Sequence, residues 1–129
     1  MSIKALPSME HVFTIDLKGS ETGNKFEGTF KYKRPNLRVQ SEIAKTQALL
    51  NGGIQGLDED TAFLHMMIAN LRHTLTESPQ WWKECDYGYE LYDSNVIIEI
   101  FKQTREFEQN WINTVWGEKS QSTTEAKAE

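Results

Sequence analysis

The stretch that most constrains the fold is residues 57–77, LDEDTAFLHMMIANLRHTLTE. Turned at 3.6 residues per turn, it puts Phe63, Leu64, Met67, Ile68, Leu71 and Leu75 on one apolar stripe, with His65, Arg72 and Thr76 opposite. A stripe of that length has to be covered by other elements. Asp58 is placed to cap the helix, and Glu59 and Asp60 set negative charge at the positive end of its dipole. Ser78-Pro79 restricts the backbone beyond it and marks the stop.

The segments before this helix read as a β-hairpin and a second helix. Phe13, Ile15 and Leu17 alternate with Thr14 and Asp16, and after the turn residues of 19–24 the alternation resumes with Phe26, Phe30 and Tyr32. The pattern predicts a hairpin over 11–33. Gly28 shares the apolar face with Phe26 and Phe30, so either a bulge or the close approach of another element is expected there. A two-stranded ribbon is marginal in water, so this one must lean on a helix or on another copy of itself. Arg34-Pro35 ends the second strand. Asn36 can cap a helix over 37–50, and Asn51-Gly52-Gly53 can terminate it.

After Pro79 the chain is aromatic, with Trp81, Trp82, Tyr87, Tyr89 and Tyr92, and reads as a short helical turn and an irregular connection. Asp93 or Ser94 then caps a last helix reaching Trp116, with Gly117 as its stop. Val96, Ile97, Ile100, Phe101, Thr104, Phe107, Trp111 and Val115 form its inward face. A second, narrower apolar line, Ile98, Ile112 and Trp116, interrupted by Arg105, lies to one side of that face. The expected architecture is therefore α+β: one globular domain over 1–117, with the hairpin at 11–33 and three main helices within 37–116. Residues 118–129, EKSQSTTEAKAE, hold no large apolar side chain and are expected to be a disordered tail.

Composition narrows the function classes. Mean hydropathy is −0.61, and no apolar run approaches the roughly 20 residues that span a bilayer. No secretory signal is visible at the N-terminus, and one cysteine, Cys85, can form neither an internal disulfide nor a zinc site by itself. These features point to a cytoplasmic setting. The net charge of −5 argues against generic nucleic-acid binding, yet residues 25–45 carry six basic and two acidic residues, so the remainder is at −9.

Lys25, Lys31, Lys33, Arg34 and Arg38 could meet phosphate, although lysines on a strand edge also serve simply to prevent aggregation. His65 and His73 lack the i, i+4 spacing of a metal pair and read as surface residues. The Asn51-Gly52-Gly53 turn follows a helix and lacks the Gly-Lys-Ser/Thr of a phosphate loop. No pattern points to an enzyme, a cofactor or a metal. Trp81 and Trp82 can close one end of the core or anchor a protein contact.

FEGTFKYKRP at 26–35, ALLNGG at 48–53, LDEDTAFLHMMIANL at 57–71, LTESPQWW at 75–82 and LYDSNVIIEIFKQTREFEQNW at 91–111 follow one another along the chain. In that order these segments resemble the tail assembly chaperones of long-tailed bacteriophages and related small tail-cluster proteins. The resemblance implies a non-enzymatic protein of the infected host's cytoplasm that coats the tape measure protein and helps the tail tube protein assemble. Homo-oligomers are compatible with that role. Client contact is then expected at Trp81, Trp82, Ile98, Ile112 and Trp116. The alternative is a small phage nucleic-acid-binding or regulatory protein using the basic hairpin.

Overall fold

The computed structural model describes residues 6–54 and 56–128, with side chains described through 117. Its element order is β1 (Glu10–Lys18), β2 (Lys25–Lys33), α1 (Leu37–Asn51), α2 (Glu59–Thr74), β3 (Leu75–Glu77), α3 (Gln80–Glu84) and α4 (Ser94–Ala128). This is the α+β fold expected, with a three-stranded antiparallel sheet in the order β1-β2-β3.

The hairpin pairs Phe13 with Phe30, Ile15 with Gly28 and Leu17 with Phe26, so the alternating apolar residues share one face. Phe13, Ile15, Phe30 and Tyr32 are buried there with Met67, Ile68 and Leu71 of α2, Trp82 of α3, and Val96, Ile97 and Ile100 of α4. Gly28 marks a close approach rather than a bulge. A Cβ at this position would lie 2.3 Å from Cγ of Pro79, so the chain entering α3 crosses directly over β2.

The central helix is three residues shorter than its pattern implies. It ends at Thr74; Leu75 turns extended (φ −83°, ψ 108°), and β3 pairs Leu75 with Tyr32 and Glu77 with Lys31. Helical periodicity carries through Leu75, but the outer edge of β2 offers unpaired backbone groups that a tertiary contact can satisfy and a frayed last turn cannot. Trp81 completes that edge, because its indole N–H donates to the Glu27 carbonyl at 2.8 Å.

Helix caps follow the expected chemistry. Asn36 Oδ1 accepts from the Val39 N–H at 2.9 Å, Asp58 Oδ2 accepts from the Thr61 N–H at 3.0 Å, and Gly52 closes α1 in the left-handed conformation. Asp93 does something else. Its carboxylate is buried and accepts from the Glu21 and Thr22 N–H groups at 2.6 and 2.8 Å and from the Thr22 hydroxyl at 2.6 Å. Asn95 adds a bond from the Ser20 N–H and donates to the Lys18 carbonyl. The hairpin loop is thereby fastened to the start of α4.

At the other end of the hairpin, Arg34 Nε bridges both carboxylate oxygens of Glu108 at 2.9 and 3.0 Å, and its guanidinium lies 3.6 Å from the Trp111 ring centroid. α4 thus runs along the sheet, tied at both ends. It is continuous through Gly117, which does not stop it: a glycine in a helix interior costs about 1 kcal/mol but does not forbid the conformation. The tail expected over 118–129 falls beyond the described side chains.

Candidate protein-docking surface

The Ile98, Ile112 and Trp116 line faces outward. These residues are 49%, 40% and 54% exposed, all on α4. Ile98 and Ile112 are fourteen residues apart on the same helical face, roughly 21 Å at 1.5 Å per residue. Arg105 interrupts the line as expected, with its guanidinium over the Phe101 ring and a hydrogen bond to the Tyr32 hydroxyl at 3.2 Å.

At its N-terminal end the line opens into a groove of about 350 Å³ between α2 and α4, formed by Phe63, Leu64, Met67 and Ile98 with Asp60, Thr61 and Ser94 at its rim. Phe63 belongs to the stripe expected to face inward, yet it is 51% exposed and meets Phe101 edge-on. It sits in the first turns of α2, where the helix overhangs the core, so it is an unanticipated part of this surface. Asp58, at the same end, is held below the usual carboxylate range by the Thr61 hydroxyl and then by the Thr61 N–H.

The tryptophan pair does not belong to the docking surface. Trp82 is fully buried, edge-on to Phe30, with the Gly88 backbone against its ring; a Cβ on Gly88 would come within 2.4 Å of that ring. Trp81 lies on Phe26 and Phe30 with its N–H committed to Glu27. The reason is the crossing at Pro79, which drops both rings onto the sheet. Trp82 therefore closes the core and does not make the partner contact expected of it, and Trp81 is a sheet contact.

The basic hairpin is largely neutralised. Lys25 pairs with Glu27 at 2.7 Å and Asp16 at 3.6 Å, Lys31 with Glu10 at 3.0 Å, and Arg34 with Glu108. Hydrogen bonding to Glu27 and Glu10 respectively, with the nearby negative charge, raises the ammonium pKa values of Lys25 and Lys31. Of the five cations expected to form a surface, Lys33 and Arg38 alone lack an ion pair among the described residues.

The histidines correct the surface reading. His65 is buried, with Nδ1 2.8 Å from Asn51 Oδ1 and Nε2 3.1 Å from the Tyr89 hydroxyl; His73 Nε2 lies 2.6 Å from the Thr46 hydroxyl. Both fasten α1, which has no fully buried residue of its own, onto α2. A helix packed on two sides buries its apparent polar face as well. Among the described residues no three His, Cys, Asp or Glu side chains are grouped to hold a metal ion, and no helix is long and apolar enough to cross a membrane.

Fold and surface together define a small α+β protein whose distinctive exposed chemistry is an apolar line on a long helix, leading into a shallow apolar groove. No family model matches this chain, and neither does any curated protein or solved structure.

Proposed function

We propose that this protein is a non-enzymatic assembly chaperone of long-tailed phage morphogenesis, acting in the host cytoplasm on the tape measure and tail tube proteins. The ordered resemblance of its segments to that family is one support. The observation that carries the reading is the exposure of Ile98 and Ile112 on α4, continuous with the Phe63, Leu64 and Met67 groove. Exposed apolar anchors beside charged residues suit capture of an amphipathic helical client, since desolvated apolar side chains dominate such contacts. The nucleic-acid alternative loses its main support, because three of its five cations are already paired.

The test is co-expression with the tape measure protein. Ile98→Ser combined with Ile112→Ser should abolish co-purification while leaving the thermal midpoint within a few degrees, because exposed substitutions away from special features cost within about 0.5 kcal/mol each. Retained capture by that folded variant removes the assignment. Mass spectrometry of purified particles should find the tube protein without this chain; its presence there would make it a virion component instead.

A further inference from the structure

The free edge of β1 carries a gap in its hydrogen bonding with a definite symmetry. The Arg34 N–H donates to the Met9 carbonyl and the Gly19 N–H to the Asn24 carbonyl, which fixes the parity of the hairpin ladder. Odd-numbered residues of β1 bond to β2, and the N–H and C=O groups of Glu10, Val12, Thr14, Asp16 and Lys18 point to the outer edge. The two ends of that edge are occupied: the Ser8 hydroxyl bonds both the N–H and the C=O of Glu10, and Asn95 Nδ2 donates to the Lys18 carbonyl.

Between them, the three donors and three acceptors of Val12, Thr14 and Asp16 have no partner among the described residues. Along Thr14 and Asp16 α4 stands off, with a groove of about 200 Å³ between Thr14–Leu17 and Glu99 and Gln103. The outer edge of β2, by contrast, is met by β3 at Lys31 and Tyr32 and by Trp81 at the Glu27 carbonyl. An uncapped edge of this kind is a template for another strand.

We infer that β1 pairs with β1 of a second copy of this chain, antiparallel about a two-fold axis through Thr14. The occupant is argued from self-complementarity. In that register Thr14 meets Thr14, Val12 meets Asp16, and all six open backbone groups on each side are used. The same register sets Glu10, already held by Lys31 at 3.0 Å, opposite Lys18 at both ends of one face, outside the Val12 and Asp16 pairs, and Phe13 opposite Ile15 on the other. A shift by two residues sets Asp16 opposite Glu10, whose N–H and C=O are both held by Ser8, or Val12 opposite Lys18, whose carbonyl is held by Asn95, and so leaves open groups unpaired. The product is one six-stranded sheet and an isologous dimer.

Sedimentation equilibrium over tens to hundreds of micromolar tests this on the full chain, with amide exchange alongside. Wild type should reach twice the monomer mass, and the amides of Val12, Thr14 and Asp16 should slow by about tenfold or more as concentration rises. Thr14→Lys sets like charges across the axis at an exposed position, and Thr14→Pro removes an N–H that the hairpin ladder does not use. Both should be monomeric with wild-type circular dichroism, whereas Thr29→Lys on β2 should dimerise normally. Should Thr14→Pro misfold, Thr14→Lys decides alone. Wild type that stays monomeric, as it would if the edge takes an extended segment of another protein, overturns the inference. So does a dimer that survives Thr14→Lys with its three amides unprotected.

Discussion

Replacing Gly28 by Ala tests the crossing of Pro79 over the sheet, and the sign of the effect is informative. In an ordinary strand interior the exchange is favourable by about 0.5–1 kcal/mol, because glycine loses more backbone freedom on folding. Here the new methyl carbon would stand 2.3 Å from Pro79 Cγ and 3.0 Å from its Cβ, about 1.5 Å inside normal contact for the nearer atom. Pro79 cannot rotate away, since its ring is part of the backbone and Trp81 and Trp82, two and three residues on, are anchored to Phe26 and Phe30. Overpacking of this kind costs about 1–3 kcal/mol. The net is a loss of up to about 2.5 kcal/mol, a fall of up to about 10 °C in thermal midpoint at about 4 °C per kcal/mol. Thermal denaturation followed by tryptophan fluorescence measures it. In a Pro79→Ala background, where Cγ is gone, the same Gly28→Ala change should be neutral or slightly stabilising, a coupling of about 1–3 kcal/mol. If Gly28→Ala raises the midpoint of the wild type, or costs the same in both backgrounds, the crossing is not where these distances put it.

Two further outcomes follow from the ties between hairpin and α4. Burial alone would raise the Asp93 carboxyl, but the Thr22 hydroxyl and the Thr22 and Glu21 N–H groups outweigh it and hold the pKa below the usual carboxylate range. The stabilisation is therefore present above the unfolded value of about 4 and is lost as pH falls through the folded one. Asp93→Asn should flatten the acid limb of urea midpoints measured from neutral pH downward; an unchanged limb would show that the tie contributes nothing. At the other end, burial and then the Glu108 carboxylate push the Tyr32 hydroxyl well above its ordinary pKa. That contribution is complete below about pH 10 and fades at higher pH. Glu108→Gln should cost about 1–3 kcal/mol at neutral pH, because the amide keeps one acceptor oxygen but loses the charge and the second acceptor that Tyr32 and Arg34 share, read as a lower denaturant midpoint with unchanged slope.

Legibility from sequence tracked how local the deciding physics was. The hairpin bounds, the Asn36 and Asp58 caps and the Gly52 terminus all rest on one to four neighbouring residues, and the pattern carried them. The last turn of the central helix did not follow its pattern. Leu75 keeps helical spacing, and only the partner backbone on β2, more than forty residues away in sequence, selects the strand. His65 and His73 escaped for a related reason, since periodicity identifies an apolar face but not a second helix lying against the polar one. Thr46 and Asn51 on α1, facing those rings, were the one signal available.

The surface followed the same rule with the opposite sign. Ile98 and Ile112 were identifiable because they lie off the inward face of α4, a property of one helix alone. Phe63 and Trp82 fell on unexpected sides of the surface: the residue inside the stripe is exposed, and Trp82, on the short helix α3, takes the core-closing one of its two expected roles. Both placements come from where an element ends relative to the core, with α2 overhanging it at its start and the chain folding back across Gly28 after Thr74. The open centre of the β1 edge has the same origin. Ser8 and Asn95 close its two ends only because the strand stops beside a loop and a helix start, and nothing in the alternation of Glu10–Lys18 distinguishes the capped residues from Val12, Thr14 and Asp16 between them.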